Sequence, residues 1–234
     1  VGYRTTANPA RWKGQLEHLL AQPSKVARRT RQPALPYADM PAFMQALRKQ
    51  HNTSARALEF LILTGVRSGE VRNATWSEFD LDKAVWTIPA ERMKGGREHR
   101  VPLSEQALRL VRAQQEVSFC DFLFPSPNRP RDPEADGAPL SDMALTAVMR
   151  RMELEAVPHG FRSTFRTWGG EQTAYPRDLL ETALAHTLES KVEAAYMHGT
   201  QIEKRRKLMQ DWADYVDLPK AHGENIIPIK SVNA

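Results

Sequence analysis

The chain has 234 residues, 41% of them hydrophobic, enough to bury a substantial core as one large domain or as one domain plus a fragment of another. Lys and Arg total 33 against 28 Asp and Glu, a formal charge of +5, and this basic balance suits an anionic partner without requiring one. Cys120 is the single cysteine, which excludes an internal disulfide framework and a multi-cysteine zinc site, and with no bilayer-length apolar run or secretory leader pattern the expectation is a soluble cytoplasmic protein, without a membrane partner, metal or other cofactor.

In chain order, Asn8-Pro9-Ala10-Arg11-Trp12 reads as a turn, and Leu16, Leu19 and Leu20 after it predict a short helix. Lys25 to Pro36 carries Lys25, Arg28, Arg29 and Arg31 beside two prolines, the composition of an extended basic linker, either solvated or laid along DNA. Met40, Phe43, Met44 and Leu47 then recur at helix spacing, and Ala57, Leu58, Leu61 and Ile62 do so again before Gly65 ends the second helix. Ala84 to Ile88 favours a strand, with His99 to Leu103 as its partner across a loop holding Gly95-Gly96. Helical patterns follow at 104–115, 141–152, 160–172, 177–185, 190–197 and 201–216, while Arg129 to Ala138 reads as a Pro-rich acidic surface loop. The expected fold class is mainly α with one small antiparallel β-sheet (α+β).

Several short stretches carry side chains suited to phosphate. Arg67 follows Gly65 in a tight connection, with Ser68 expected to cap a following helix whose first turn holds Glu70. A guanidinium at such a place presents a planar fork to a phosphodiester, or else simply pairs with Glu70. In Pro158-His159-Gly160-Phe161-Arg162-Ser163-Thr164-Phe165-Arg166-Thr167-Trp168, the helical wheel puts His159, Arg162 and Arg166 on one side and Phe161, Phe165 and Trp168 on the other. That is a cationic stripe projecting away from an apolar anchor, readable as a phosphate surface or as an ordinary solvated face. Lys94 is expected at the tip of the β loop; His186 lies near a helix end, and Tyr196 shares a helix side with Val192 and Ala195, the usual setting of a core tyrosine. The Gly-x-x-x-x-Gly-Lys-Ser/Thr spacing of a nucleotide-phosphate loop is missing.

Taken together and in order, Thr64-Gly65-Val66-Arg67-Ser68-Gly69-Glu70, Lys94, His159-x-x-Arg162, His186 and Ala195-Tyr196 closely resemble the boxes of the phage integrase family of tyrosine recombinases, within it the prophage and genomic-island group. The opening Asn-Pro-Ala-Arg-Trp and the late Arg205-Arg206-Lys207-Leu208-Met209-Gln210 also look like that group, whereas Met197-His198-Gly199-Thr200 departs from the Arg and acidic residue usual there. The resemblance implies the tail of a preceding core-binding domain and a basic linker over residues 1–36, a catalytic domain over 37–218 and a C-terminal tail over 219–234, in a piece of a longer protein. It implies a site-specific recombinase that acts without metal. Arg67 and Arg162 would hold the scissile phosphate, His159 and His186 assist, Lys94 protonate the leaving oxygen and Tyr196 attack phosphorus, with Glu70 in support and Arg67, Lys94, Arg162 and Arg166 on DNA. Implied partners are double-stranded DNA attachment sites, other protomers on DNA and a DNA-bending accessory protein. A type IB topoisomerase and a non-catalytic DNA-binding regulator of the same fold are the competing readings.

Overall fold

The computed structural model describes residues 8–21, 32–128, 130, 132, 134–186 and 201–219. Most of the basic linker, the helix expected over 190–197 with Tyr196, and nearly all of the C-terminal tail lie outside them. By contacts the chain divides into Val1–Gln32 and Pro33–Ala234. In the first unit the helix expected around Leu16 is a single 3-10 turn, Leu16–His18, and Leu19 and Leu20 are exposed.

The second unit is built from eight α-helices among the described residues: α1 (Met40–Arg48), α2 (Thr53–Thr64), α3 (Ser68–Arg72), α4 (Glu105–Glu116), α5 (Ala144–Arg151), α6 (Gly160–Gln172), α7 (Arg177–Ala183) and α8 (Ile202–Val216). Strands β1 (Phe79–Asp80), β2 (Val85–Ile88) and β3 (His99–Pro102) form one antiparallel sheet in that order, with Trp86 opposite Phe79 on one side and Val101 on the other. The helix-plus-small-sheet class is as expected, and the third strand, β1, is an addition. At two residues it is too short for alternation to announce it.

The central element is α2, where every residue from Ala57 to Thr64 is buried. Its start is set by Asn52, whose side chain accepts from the Ala55 N–H at 2.9 Å, and its end by Gly65 in the left-handed conformation, φ 66°. Such a helix needs neighbours on all sides. Phe60 packs on Phe79, Trp86 and Phe124, joining α2 to the sheet. On another side the Trp212 indole donates to the Ile62 carbonyl at 2.8 Å, and Trp212 with Phe165, Trp168 and Tyr215 ties α8 to α6. The one carboxylate of α2, Glu59, is 5% exposed and tolerated because Arg48 and Arg56 both donate to it, at 2.6 and 2.8 Å.

Helix α6 is held by its glycines and its apolar side. A Cβ on Gly160 would lie 2.1 Å from the Pro33 carbonyl oxygen, so only glycine lets the 33–35 segment cross the start of the helix. Val157 N–H and the Thr164 hydroxyl complete that crossing by donating to the Pro33 and Leu35 carbonyls. Gly170, on the same helix, has open space around it. Gly160→Ala is therefore expected to destabilise the domain by about 1–3 kcal/mol, the scale of overpacking. Gly170→Ala should stabilise it by up to ~1 kcal/mol through helix propensity alone. Urea midpoints of the two variants, read beside the unaltered chain, check both signs.

Candidate phosphate site

Four connections meet at the site: the turn after α2, the β2–β3 loop, the start of α6 and the end of α7. Gly65 turns the chain so that Arg67 occupies the N-cap of α3 in extended conformation. The expectation that Ser68 caps this helix is not met; Ser68 is its first residue. The Glu70 carboxylate does the work instead, accepting the Arg67 backbone N–H and its guanidinium NH1, each at 2.8 Å. Arg67 NH2 also donates to the Ala185 carbonyl at 3.4 Å. Glu70 thus supports Arg67 from below, at 4% exposure, and Arg92 from the sheet side donates to the Glu70 carbonyl.

Arg162 departs from the expected projecting stripe. It is 3% exposed, because the turn after α2 and the end of α7 cover that side of α6. Its NH1 donates to the Gly65 carbonyl at 2.5 Å, and its NH2 to the Leu184 carbonyl at 2.6 Å and to His186 Nε2 at 3.0 Å. Burial, then the charge of Arg67, draws its pKa down to about 10, so it remains a cation at neutral pH. A helical wheel cannot show this, since it places a residue on its own helix and says nothing of what covers it. Arg166, one turn on, remains half-exposed, with its Nε on Glu181 at 2.6 Å.

The C-terminus of α7 is a Schellman turn. Ala185 N–H donates to the Thr182 carbonyl and His186 N–H to the Glu181 carbonyl at 2.9 Å, with Ala185 in the left-handed region at φ 49°. This turn aims the Leu184 and Ala185 carbonyls at the two arginines and delivers His186 beside Arg162. His159, at the N-cap of α6, is exposed. Its pKa is held below the usual value by partial burial and by the charges of Arg162, Arg67, His186 and Lys94. Lys94 itself is exposed on the β2–β3 loop, in the turn closed by the Gly96 N–H on the Met93 carbonyl at 2.9 Å. Arg67, Lys94, His159, Arg162 and His186 are therefore one electrostatic cluster. Tyr196 lies outside the described residues.

Two residues of this region escaped sequence reasoning. Glu181 gathers His186 Nδ1 and Arg166 Nε at 2.6 Å each, with Arg177 Nε at 3.7 Å. Its spacing from His186, the two ends of a Schellman turn, was the available signal. His99, the first residue of β3, is 7% exposed with its Nε2 buried and without a hydrogen-bond partner among the described residues. Burial and then the nearby charge of Arg205 depress its pKa to about 3, with Arg162 and Arg67 adding to this and the Ala183 carbonyl opposing it. Only its place in a strand pattern was legible. Among the described residues no group of three His, Cys, Asp or Glu is placed to hold a metal ion, and no helix is long and apolar enough to cross a membrane.

Two stability measurements probe this region. Replacing left-handed Ala185 by Gly should raise stability by about 1 kcal/mol, since an L side chain there carries a penalty of that order. His99 stays neutral in the folded chain while its unfolded counterpart takes a proton near pH 6.5, so its contribution is present above that pH and is lost as pH falls toward 3. The loss is on the order of 5 kcal/mol, comparable to the whole stability of many domains. His99→Gln should flatten the fall of the urea midpoint between pH 6.5 and 4 relative to the unaltered chain.

The phage integrase family model matches residues 34–202. The integrase of Enterobacteria phage P4 is 36% identical over 206 residues, 80% of this chain and 46% of that protein. Prophage integrase IntA of Escherichia coli (strain K12) is 35% identical over 190 residues, 79% of this chain and 44% of its own. The chain thus spans about half the length of the curated relatives it matches. Among solved structures, a lambda integrase (75–356) dimer bound to a COC′ core site superposes with a TM-score of 0.53 at 18% identity, covering 70% of this chain and 61% of that one, a likeness of fold.

Proposed function

The chain belongs to the phage integrase family, and from that premise we propose that it is the catalytic part of a site-specific recombinase that cuts and rejoins DNA strands through a covalent tyrosine–phosphate bond. The observation that carries the proposal is the buried cation Arg162. Its described partners are two carbonyls and an imidazole, the charge of Arg67 acts on it, and both arginines share His159 with Lys94 as an electrostatic neighbour. A buried guanidinium without a carboxylate of its own is costly, and a site that concentrates several such donors is preorganised for an anion brought from outside.

In this reading Arg67 and Arg162 grip the non-bridging oxygens of the scissile phosphate, Glu70 fixes the angle of Arg67, and the negative charge that grows on phosphorus is met by donors already in place. Tyr196 attacks phosphorus, and because a phenol ordinarily keeps its proton up to a pH of about 10, that proton passes to an imidazole, His159 or His186. The new P–O(Tyr) bond replaces the P–O5′ bond, and the leaving 5′ oxygen takes a proton from Lys94. A phosphodiester is exchanged for a phosphodiester, so the reverse attack by a 5′ hydroxyl rejoins the strand without a nucleotide. The depressed pKa of His159 supports its service as a neutral acceptor near pH 7.

The DNA sites, the neighbouring protomers, the accessory bending protein and the assignment of Arg166 to DNA contact belong to the same proposal, as do a cytoplasmic setting at the bacterial nucleoid and the division into a linker over 1–36, a catalytic domain over 37–218 and a tail over 219–234. The test is a nicked duplex carrying the attachment site, incubated in EDTA with the chain restored to its full-length protein and run on a denaturing gel. A covalent band is expected, absent from Tyr196→Phe and reduced about 100-fold or more by Arg162→Ala, the loss of a transition-state donor. Binding without a covalent band would favour the DNA-binding regulator. Relaxation of supercoiled plasmid lacking the site would favour the topoisomerase.

A further inference from the structure

We propose that Glu181 is a positioning residue that fixes the tautomer of His186, so that the ring carries its proton on Nδ1 and turns a lone pair on Nε2 toward Arg162. The proposal deepens the reading of the site given above and rests on it for its consequence in catalysis.

The assignment follows from which atoms can donate. His186 Nδ1 stands 2.6 Å from Glu181 Oε2, and His186 Nε2 stands 3.0 Å from Arg162 NH2, a group with no acceptor capacity. An imidazolium would oppose its Nε2–H to the guanidinium N–H, donor against donor. The Nε2–H tautomer has the same conflict and also turns the Nδ1 lone pair on a carboxylate oxygen. Only neutral imidazole with Nδ1–H satisfies both contacts. Glu181 is a carboxylate in this arrangement: burial favours its neutral form, but the hydrogen bonds from His186 and Arg166 outweigh it and hold the group below its ordinary range. Among the described residues the charged and titratable groups around the ring are Arg162, Arg166 and His159 from α6 and its cap, Glu181 from α7, and Arg67, whose NH2 reaches the adjacent Ala185 carbonyl. Lys94 weighs on the cluster through His159. Nε2 is therefore the ring atom that meets whatever Arg162 holds, and Glu181 stands behind Nδ1 to balance the charge if Nε2 gains a proton.

The second carboxylate oxygen sharpens the test. Glu181 Oε1 accepts from Arg166 Nε at 2.6 Å and lies 3.7 Å from Arg177 Nε, so two cations claim that side. In Glu181→Gln the amide oxygen must face those arginines, which can only donate. The amide NH2 then faces His186 Nδ1, so the ring carries its proton on Nε2 and the contact with Arg162 NH2, now donor against donor, must open. An isosteric change that keeps the packing should thus invert the tautomer.

The experiment is two-bond 1H–15N correlation spectroscopy of the 15N-histidine-labelled chain near pH 7.5, with the His186 signals assigned by their loss in His186→Gln. The expected result is the Nδ1–H pattern in the unaltered chain and the Nε2–H pattern in Glu181→Gln, with the melting temperature of the variant checked alongside. On the nicked attachment site, Glu181→Gln in the full-length protein should form the covalent adduct at least about 10-fold more slowly, with DNA affinity within about 3-fold, since a misplaced proton impairs acid–base assistance rather than binding. An Nε2–H pattern in the unaltered chain, an unchanged pattern in Glu181→Gln, or an inverted tautomer with an unchanged adduct rate would each overturn the proposal. The spectra need no DNA, so absence of the adduct from the unaltered protein would count against the recombinase reading while the tautomer is decided separately.

Discussion

The clasp of Arg162 between the Gly65 and Leu184 carbonyls is the interaction on which the rest of the site depends. It spans 97 residues of sequence in one direction and 22 in the other, and it joins the turn after α2, the first turn of α6 and the end of α7 through a single guanidinium. Carbonyl dipoles solvate the charge but do not neutralise it. The burial that packs α6 on the core therefore leaves a cation that is fixed in direction and, among the described residues, hydrogen-bonded to no carboxylate, with Glu70 and Glu181 acting on it only through space. Arg67 is placed by the same turn, one connection away, and its own carboxylate partner, Glu70, is engaged in fixing it. In the proposed reaction such a pair of guanidinia would meet the developing charge with donors already oriented, which need not reorganise.

The end of α7 shows how local backbone chemistry becomes site geometry. A Schellman turn normally recruits glycine at its left-handed position, and here the position is Ala185. The backbone bonds of the turn bring Glu181 and His186 together, and their side chains then repeat the contact at 2.6 Å. One six-residue motif thus supplies carbonyls to two arginines, an imidazole beside Arg162, and a carboxylate to orient that imidazole. Helix α6 contributes on both of its sides: Phe161, Phe165 and Trp168 anchor it in the core, while His159, Arg162 and Arg166 reach the cluster to different depths.

Most elements were legible because their signals are local. The apolar spacing of Met40, Phe43, Met44 and Leu47 marks α1, Gly65 marks the end of α2, and the His159 to Trp168 stretch gives α6 its start and its buried side. Strand β1 was missed because two residues carry no period, and Ser68 was misread as a cap because a reciprocal Arg67–Glu70 pairing outcompeted its hydroxyl. The leucines after Trp12 predicted a helix on composition alone, and the result is one 3-10 turn with Leu19 and Leu20 exposed, since spacing cannot supply the surface against which a helix is stabilised.

By itself the sequence determined the helical class with its small sheet and the family to which the chain belongs, and it singled out Arg67, Lys94, His159, Arg162 and His186 as the candidate site. These follow from residue types at short spacings, where the chain's own geometry fixes neighbours. The tertiary structure alone decided that Arg162 is buried, that Glu181 rather than solvent meets Arg166 and His186, and that His99 lies neutral among the charges of Arg67, Arg162 and Arg205. The physical reason is that burial and charge coupling depend on which segments fold over a side chain, and those segments come from positions tens of residues away.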